Sequence, residues 1–90
     1  MAKHAAFTRV VTVQAEQFFH DKPPPFAELC LVKLDVTSKR YHVTSPEGWL
    51  LFLNDGDWVV KYPQEYYRAA HVVTDGEFRK HFTPVPEKKS

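Results

Sequence analysis

The chain has 90 residues, with twelve Lys and Arg against eleven Asp and Glu and 43% apolar content. That length admits one domain, since a domain usually takes roughly 100–150 residues, and a core of this size leaves little room for a deep substrate cavity. A formal charge of +1 supplies no field for a polyanion, and 14% aromatic residues exclude wholesale disorder.

Cys30 is the single cysteine, which excludes a disulfide within the chain and every multi-cysteine zinc site. One unpaired thiol suits a reducing compartment. The segment Met1–Phe7 has no apolar stretch of secretory type. The longest apolar run, Trp49–Leu53, falls far short of the ~20 residues that span a bilayer. The expected setting is the cytoplasm, without a membrane. Residues 1–7 read as a flexible N-terminus, 8–85 as a single β-rich domain and 86–90 as a disordered tail.

From Thr8 to Phe19 the chain reads as a strand, with Val11, Val13 and Ala15 alternating with Thr12, Gln14 and Glu16. Pro23, Pro24 and Pro25 then fix φ and remove three donors, so this stretch is a stiff extended connection. Phe26 to Val36 fits both periods: Phe26, Leu29, Cys30 and Lys33 share a helical face, while Cys30, Val32, Leu34 and Val36 share a strand face. The β-branched residues favour a strand from Leu29 to Val36, leaving the conformation of residues 26–32 open. Thr37–Lys39 is a turn, and Arg40–Thr44 alternates with Tyr41 and Val43 inward.

Pro46-Glu47-Gly48 forms the next turn. Trp49 to Leu53 is apolar on both faces, which predicts a central strand covered on both sides. Asn54-Asp55-Gly56-Asp57 is the strongest hairpin signal in the chain, with Trp58–Tyr62 as the return strand. Asp55, Gly56 and Asp57 are structural turn residues, Gly56 supplying positive φ. A turn at Pro63–Glu65 leads to a last long strand, Tyr66–Val73. Thr74 and Glu77 then have capping-box spacing, Phe78 and Phe82 share a helical face, and Pro84 stops the helix. The fold class is α+β and mainly antiparallel β: a small curled sheet or partly open barrel of about five strands with one short C-terminal helix.

Candidate chemistry is sparse. His4, His20, His42, His71 and His81 have no metal-ligand spacing and read as scattered imidazoles; neither a metal nor a cofactor is expected. Cys30 lies in an apolar run and reads as an inert packing group rather than a nucleophile paired with His42 or His71. The aromatics carry more. Trp58, Tyr62, Tyr66 and Tyr67 lie on one predicted hairpin with Lys61 and Arg68 beside them. Strand neighbours face opposite ways, so Tyr66 and Tyr67 are not both core unless both faces are covered. Exposed aromatics with Arg are the usual content of protein-interface hot spots. Trp58, Tyr62, Tyr67 and Arg68 are therefore the candidate partner-binding anchors. The same mixture suits stacking on single-stranded nucleic acid, with Lys39, Lys61 and Arg68 along phosphate, though the near-neutral charge weighs against it. The bland alternative puts Trp58 and Tyr66 in the core and Tyr67 over a sheet edge.

Asp55-Gly56-Asp57-Trp58-Val59-Val60-Lys61, then Tyr66-Tyr67, then Glu77–Val85 resemble the small phage and prophage proteins of the PGDYG type. Arg9–Phe18 is similar to that family's opening strand, and residues 20–45 have no counterpart. Asp55 stands where the motif has proline, and Trp58 where tyrosine is common. The resemblance implies a phage or prophage origin and a cytoplasmic β-rich fold, and it implies no activity. Together these readings point to a small non-enzymatic protein that acts by protein–protein binding, modulating or inhibiting a bacterial host protein by steric occlusion. A homodimer is also expected, because a small stapleless domain with a long apolar central strand and a free edge is prone to self-pairing.

Overall fold

The computed structural model describes residues 11–84, in which six short strands precede one helix. The strands are β1 (Gln14–Gln17), β2 (Lys33–Asp35), β3 (Arg40–Thr44), β4 (Leu50–Phe52), β5 (Trp58–Lys61) and β6 (His71–Val73); the helix α1 is Asp75–His81. They form two three-stranded sheets, ordered β1-β5-β6 and β2-β3-β4, with every pair antiparallel. The fold is α+β and mainly antiparallel, and the strands do not close into a barrel. The terminal segments 1–7 and 86–90 lie outside the described residues, as does the start of the predicted first strand.

One core joins the two sheets. Val59 and Ala70 from the first sheet region meet Val43 and Leu53 from the second, and Phe18, Phe26 and Leu31 fill the space between. The sheets are also tied through backbone, Ala70 N–H donating to the Thr44 carbonyl at 2.9 Å. Phe18 packs against Tyr41 with ring centroids 5.6 Å apart.

The Asn54–Asp57 turn forms, with Gly56 at φ 93°, but it does not close a hairpin. Its backbone bonds go to the end of β1: Phe18 N–H donates to the Asp57 carbonyl at 2.7 Å, and Gly56 N–H donates to the Phe18 carbonyl at 2.8 Å. Asp55 accepts from His20 N–H at 2.7 Å, and Asp57 accepts from Asn54 N–H at 2.9 Å. The turn therefore hands the chain from one sheet to the other, and β5 pairs with β1 and β6 rather than with β4.

That hand-over exchanges two predicted roles. The run Trp49–Leu53 is not a covered central strand: β4 is an edge strand, with Trp49 69% and Leu50 54% exposed. The strand covered on both faces is β5, where Val59 and Val60 are fully buried. Its Val59 side faces the core.

The predicted strand Leu29–Val36 is also corrected. Ala27–Leu29 is a 3-10 turn bracketed by Phe26 and Cys30 in the left-handed region, and strand begins only at Lys33. Two non-glycine residues at positive φ cost on the order of 1 kcal/mol each. Burial of the Phe26 ring and its N–H bond to the Glu16 carboxylate (3.1 Å) offset that cost. Leu34 and Val36, expected inward, are exposed, and Cys30 is exposed rather than packed. The last predicted strand, Tyr66–Val73, shrinks to β6, and Tyr66–Arg68 is loop.

The helix follows its local signals. The Thr74 hydroxyl accepts from Glu77 N–H at 3.3 Å, and Lys80 and His81 occupy the last turn. Phe78 stacks on Phe82 and on the Trp58 indole, which closes α1 onto β5.

Candidate functional site

Lys61 organises the loop that carries the tyrosines. The period-two alternation of β5 turns its side chain to the core face, where only 8% of it is exposed. Its ammonium donates to the carbonyls of Tyr67 (2.7 Å) and Ala69 (2.6 Å), with the Tyr66 carbonyl at 3.5 Å. Burial pushes this ammonium below the ordinary lysine range, and the nearby Glu65 carboxylate pulls it partly back. Ala69 N–H closes the loop onto the Tyr66 carbonyl at 2.9 Å.

On that support Tyr66 and Tyr67 stand in solvent, 62% and 53% exposed, with ring centroids 4.9 Å apart. Arg68 lies over the Tyr67 ring at 5.3 Å and its Nε donates to the Tyr67 hydroxyl at 3.0 Å. Tyr67 and Arg68 are thus placed together. Tyr62 is half-buried and edge-on to His71, which pairs with Glu65 at 2.7 Å. Trp58 is elsewhere, about 13 Å along the strand from Tyr62 at a normal rise per residue. Its indole N–H donates to Asp75 at 2.9 Å, and its ring lies flat on Phe78 at 3.9 Å. That ring fastens the helix and does not join the tyrosine surface. The predicted four-residue anchor set therefore divides.

Beside the tyrosines runs an open groove of about 470 Å³. Three segments distant in sequence line it: Leu29–Leu31 with Lys33, Thr44–Pro46 with Gly48, and Tyr66 with Arg68 and Ala69. Leu31 and Ala69, both buried, floor it. The turn on one wall is braced by Ser45, whose Oγ accepts from Trp49 N–H at 3.0 Å. Lys33 and Arg68 are the charged lining residues, so the groove is cationic with an apolar floor.

Sequence reading missed the exposed Tyr66 and Cys30 as groove residues, and the exposed pair Trp49 and Leu50. Tyr66 alone had a signal, since two adjacent aromatics on one strand already required one to be outside. Cys30 lines the groove, and neither His42 nor His71 does. Among the described residues no three His, Cys, Asp or Glu side chains converge as a metal site, and no helix is long and apolar enough to cross a membrane. No family model, curated protein or solved structure matches the chain.

Proposed function

We propose that this is a small non-enzymatic protein of phage type that binds a bacterial host protein in the cytoplasm and occludes a functional surface of it. The observation that carries this reading is the exposed Tyr66–Tyr67–Arg68 group, whose Tyr66 and Arg68 line an apolar-floored groove. Two exposed tyrosines ordered in advance lose little entropy on docking, and Tyr and Arg dominate interface energetics. Lys33 and Arg68 favour an acidic, partly apolar segment of the partner. The resemblance of Asp55–Lys61 and Glu77–Val85 to the PGDYG-type proteins supports the phage origin. The free protein is further proposed to self-associate as a homodimer.

The single-stranded nucleic-acid alternative loses one of its three phosphate contacts, because the Lys61 ammonium is committed to backbone carbonyls. The test is affinity capture from bacterial lysate, with and without nuclease, of the wild type and of Tyr66→Ala, Tyr67→Ala and Arg68→Ala. A protein retained in both arms by the wild type, and bound about tenfold more weakly by each variant, is the expected result. Retention that needs intact nucleic acid, or that ignores all three substitutions, removes the assignment.

A further inference from the structure

The backbone of β4 settles which of its groups are spoken for. The Trp49 carbonyl accepts from Ser45 N–H and Leu53 N–H donates to the Tyr41 carbonyl, both at 2.8 Å, with Leu51 opposite Val43. Trp49, Leu51 and Leu53 thus direct their backbone groups at β3, and Leu50 and Phe52 direct theirs outward. Among the described residues β4 is paired on one side only.

Among the described residues the other sheet edges carry charge or approach neighbouring chain. β1 carries Glu16, β2 carries Lys33 and Asp35, and β6 begins beside β3, where the Ala70 N–H just before it donates to the Thr44 carbonyl. Charges on an edge strand and coverage by neighbouring chain are the usual means of blocking strand addition. The run Trp49-Leu50-Leu51-Phe52-Leu53 has neither charge nor proline, and its Trp49 and Leu50 side chains are exposed.

The geometry points to β4 as the seam of a homodimer, in which two copies pair antiparallel about Leu51 and extend the β2-β3-β4 sheet into one of six strands. This rests on the reading that the chain self-associates and names where. The register is self-complementary. With the twofold axis at Leu51, Leu50 of each copy faces Phe52 of the other, and both present outward N–H and carbonyl groups, so the ladder continues without a mismatch. The ends match in charge as well. Arg40 lies over the Phe52 ring at 4.8 Å and reaches Asn54 at 3.4 Å, at the C-terminal end of β4. Glu47 is exposed just before the N-terminal end. Antiparallel pairing brings Glu47 of each copy toward Arg40 of the other, twice by symmetry. A charged or unlike strand would lose that symmetry and the uncharged match along the middle. Three-residue strands with a few flanking side chains make a small interface, below the usual ~1,200 Å² of stable ones, so the equilibrium is expected to be concentration-dependent.

The test is positional. Residues opposite each other on the axis form a non-hydrogen-bonded pair with Cα atoms about 4.5 Å apart, within disulfide reach. The full-length Cys30→Ser, Leu51→Cys chain is expected to cross-link on mild oxidation, and Cys30→Ser, Leu34→Cys, on the far edge, is not. In parallel, Leu50→Lys should raise the dimer dissociation constant about tenfold or more by sedimentation, placing two ammonium groups beside the seam. Leu50 is more than half exposed, so this variant retains its fold. A wild type that is monomeric from micromolar to millimolar concentration overturns both the seam and self-association. A dimer that fails to cross-link through Leu51→Cys, or cross-links equally through Leu34→Cys, overturns the seam alone.

Discussion

A buried lysine is costly unless its donors are used, because desolvation penalises the charged form. Lys61 meets that demand with two short bonds to the carbonyls of Tyr67 and Ala69, groups that a loop beside a sheet would otherwise leave without partners. The ammonium therefore acts as a nail through the Tyr66–Arg68 loop. Lys61→Met keeps the length of the side chain and removes the donors. Orphaned buried carbonyls and a lost charged hydrogen bond each carry about 1–3 kcal/mol, partly offset by the relief of burying no charge. The expected result is a loss of about 2 kcal/mol in urea denaturation. The proposed partner binding through Tyr66 and Tyr67 should weaken too, although neither ring has been altered. An unchanged midpoint would show that the loop holds itself.

At the scale of the element, α1 is too short to stand alone, and beside the Trp58–Phe78 stack one carboxylate ties it to the sheet. Asp75 Oδ1 accepts from the Trp58 indole N–H (2.9 Å), from Gln17 Nε2 (3.2 Å) and from Arg79 Nε (3.0 Å). The Trp58 bond first, then Arg79, holds this carboxyl below the ordinary aspartate range, with Gln17 adding to it. A lowered folded pKa means the folded state favours the ionised form. The contribution is complete above the ordinary aspartate pKa and is lost as pH falls through the lowered value. Acidification below that range should therefore shift the Trp58 indole N–H resonance and loosen α1 before the core unfolds. Asp75→Asn should abolish that acid transition, and its persistence in the variant would place the sensitivity elsewhere. This helix was legible in the sequence because its signals are local: Thr74 with Glu77, Phe78 with Phe82, and Pro84. The strands were not equally legible. Trp49–Leu53 and Trp58–Lys61 differ little in pattern, and periodicity reports which residues are apolar, not which neighbour covers them. Two bonds between Phe18 and the Gly56–Asp57 turn decide that β5 becomes central and β4 an edge, and no spacing in the chain announces them. The groove was illegible for the same reason, since its three walls are brought together only by the tertiary fold.

At the scale of the whole molecule, two three-stranded sheets raise the question of whether they are one unit or two. A three-stranded sheet is at the margin of independent stability, and each sheet here lacks a core of its own. Val59 and Val43 are buried to 0% and 1% exposure, respectively, in the same cluster, with Phe18 and Phe26 between the sheets. Neither sheet can shed the other without exposing those rings, which disfavours a partly open state. The total stability of 90 residues is about 5–13 kcal/mol, so Phe18→Ala, at about 3–5 kcal/mol, removes a large share from both sheets at once. Native-state hydrogen exchange separates the alternatives. The Val43 amide at the centre of one sheet and the Val59 amide at the centre of the other should exchange with the same opening free energy and the same denaturant slope. Phe18→Ala should lower both equally. Val59 remaining protected while Val43 exchanges freely would mean that the β1-β5-β6 sheet, with α1 closed on Trp58, is stable without its neighbour. The cationic groove between Leu31 and Ala69 would then open and close with the loss of the second sheet. Equal opening instead makes the groove as permanent as the fold, which is what a preformed docking surface requires.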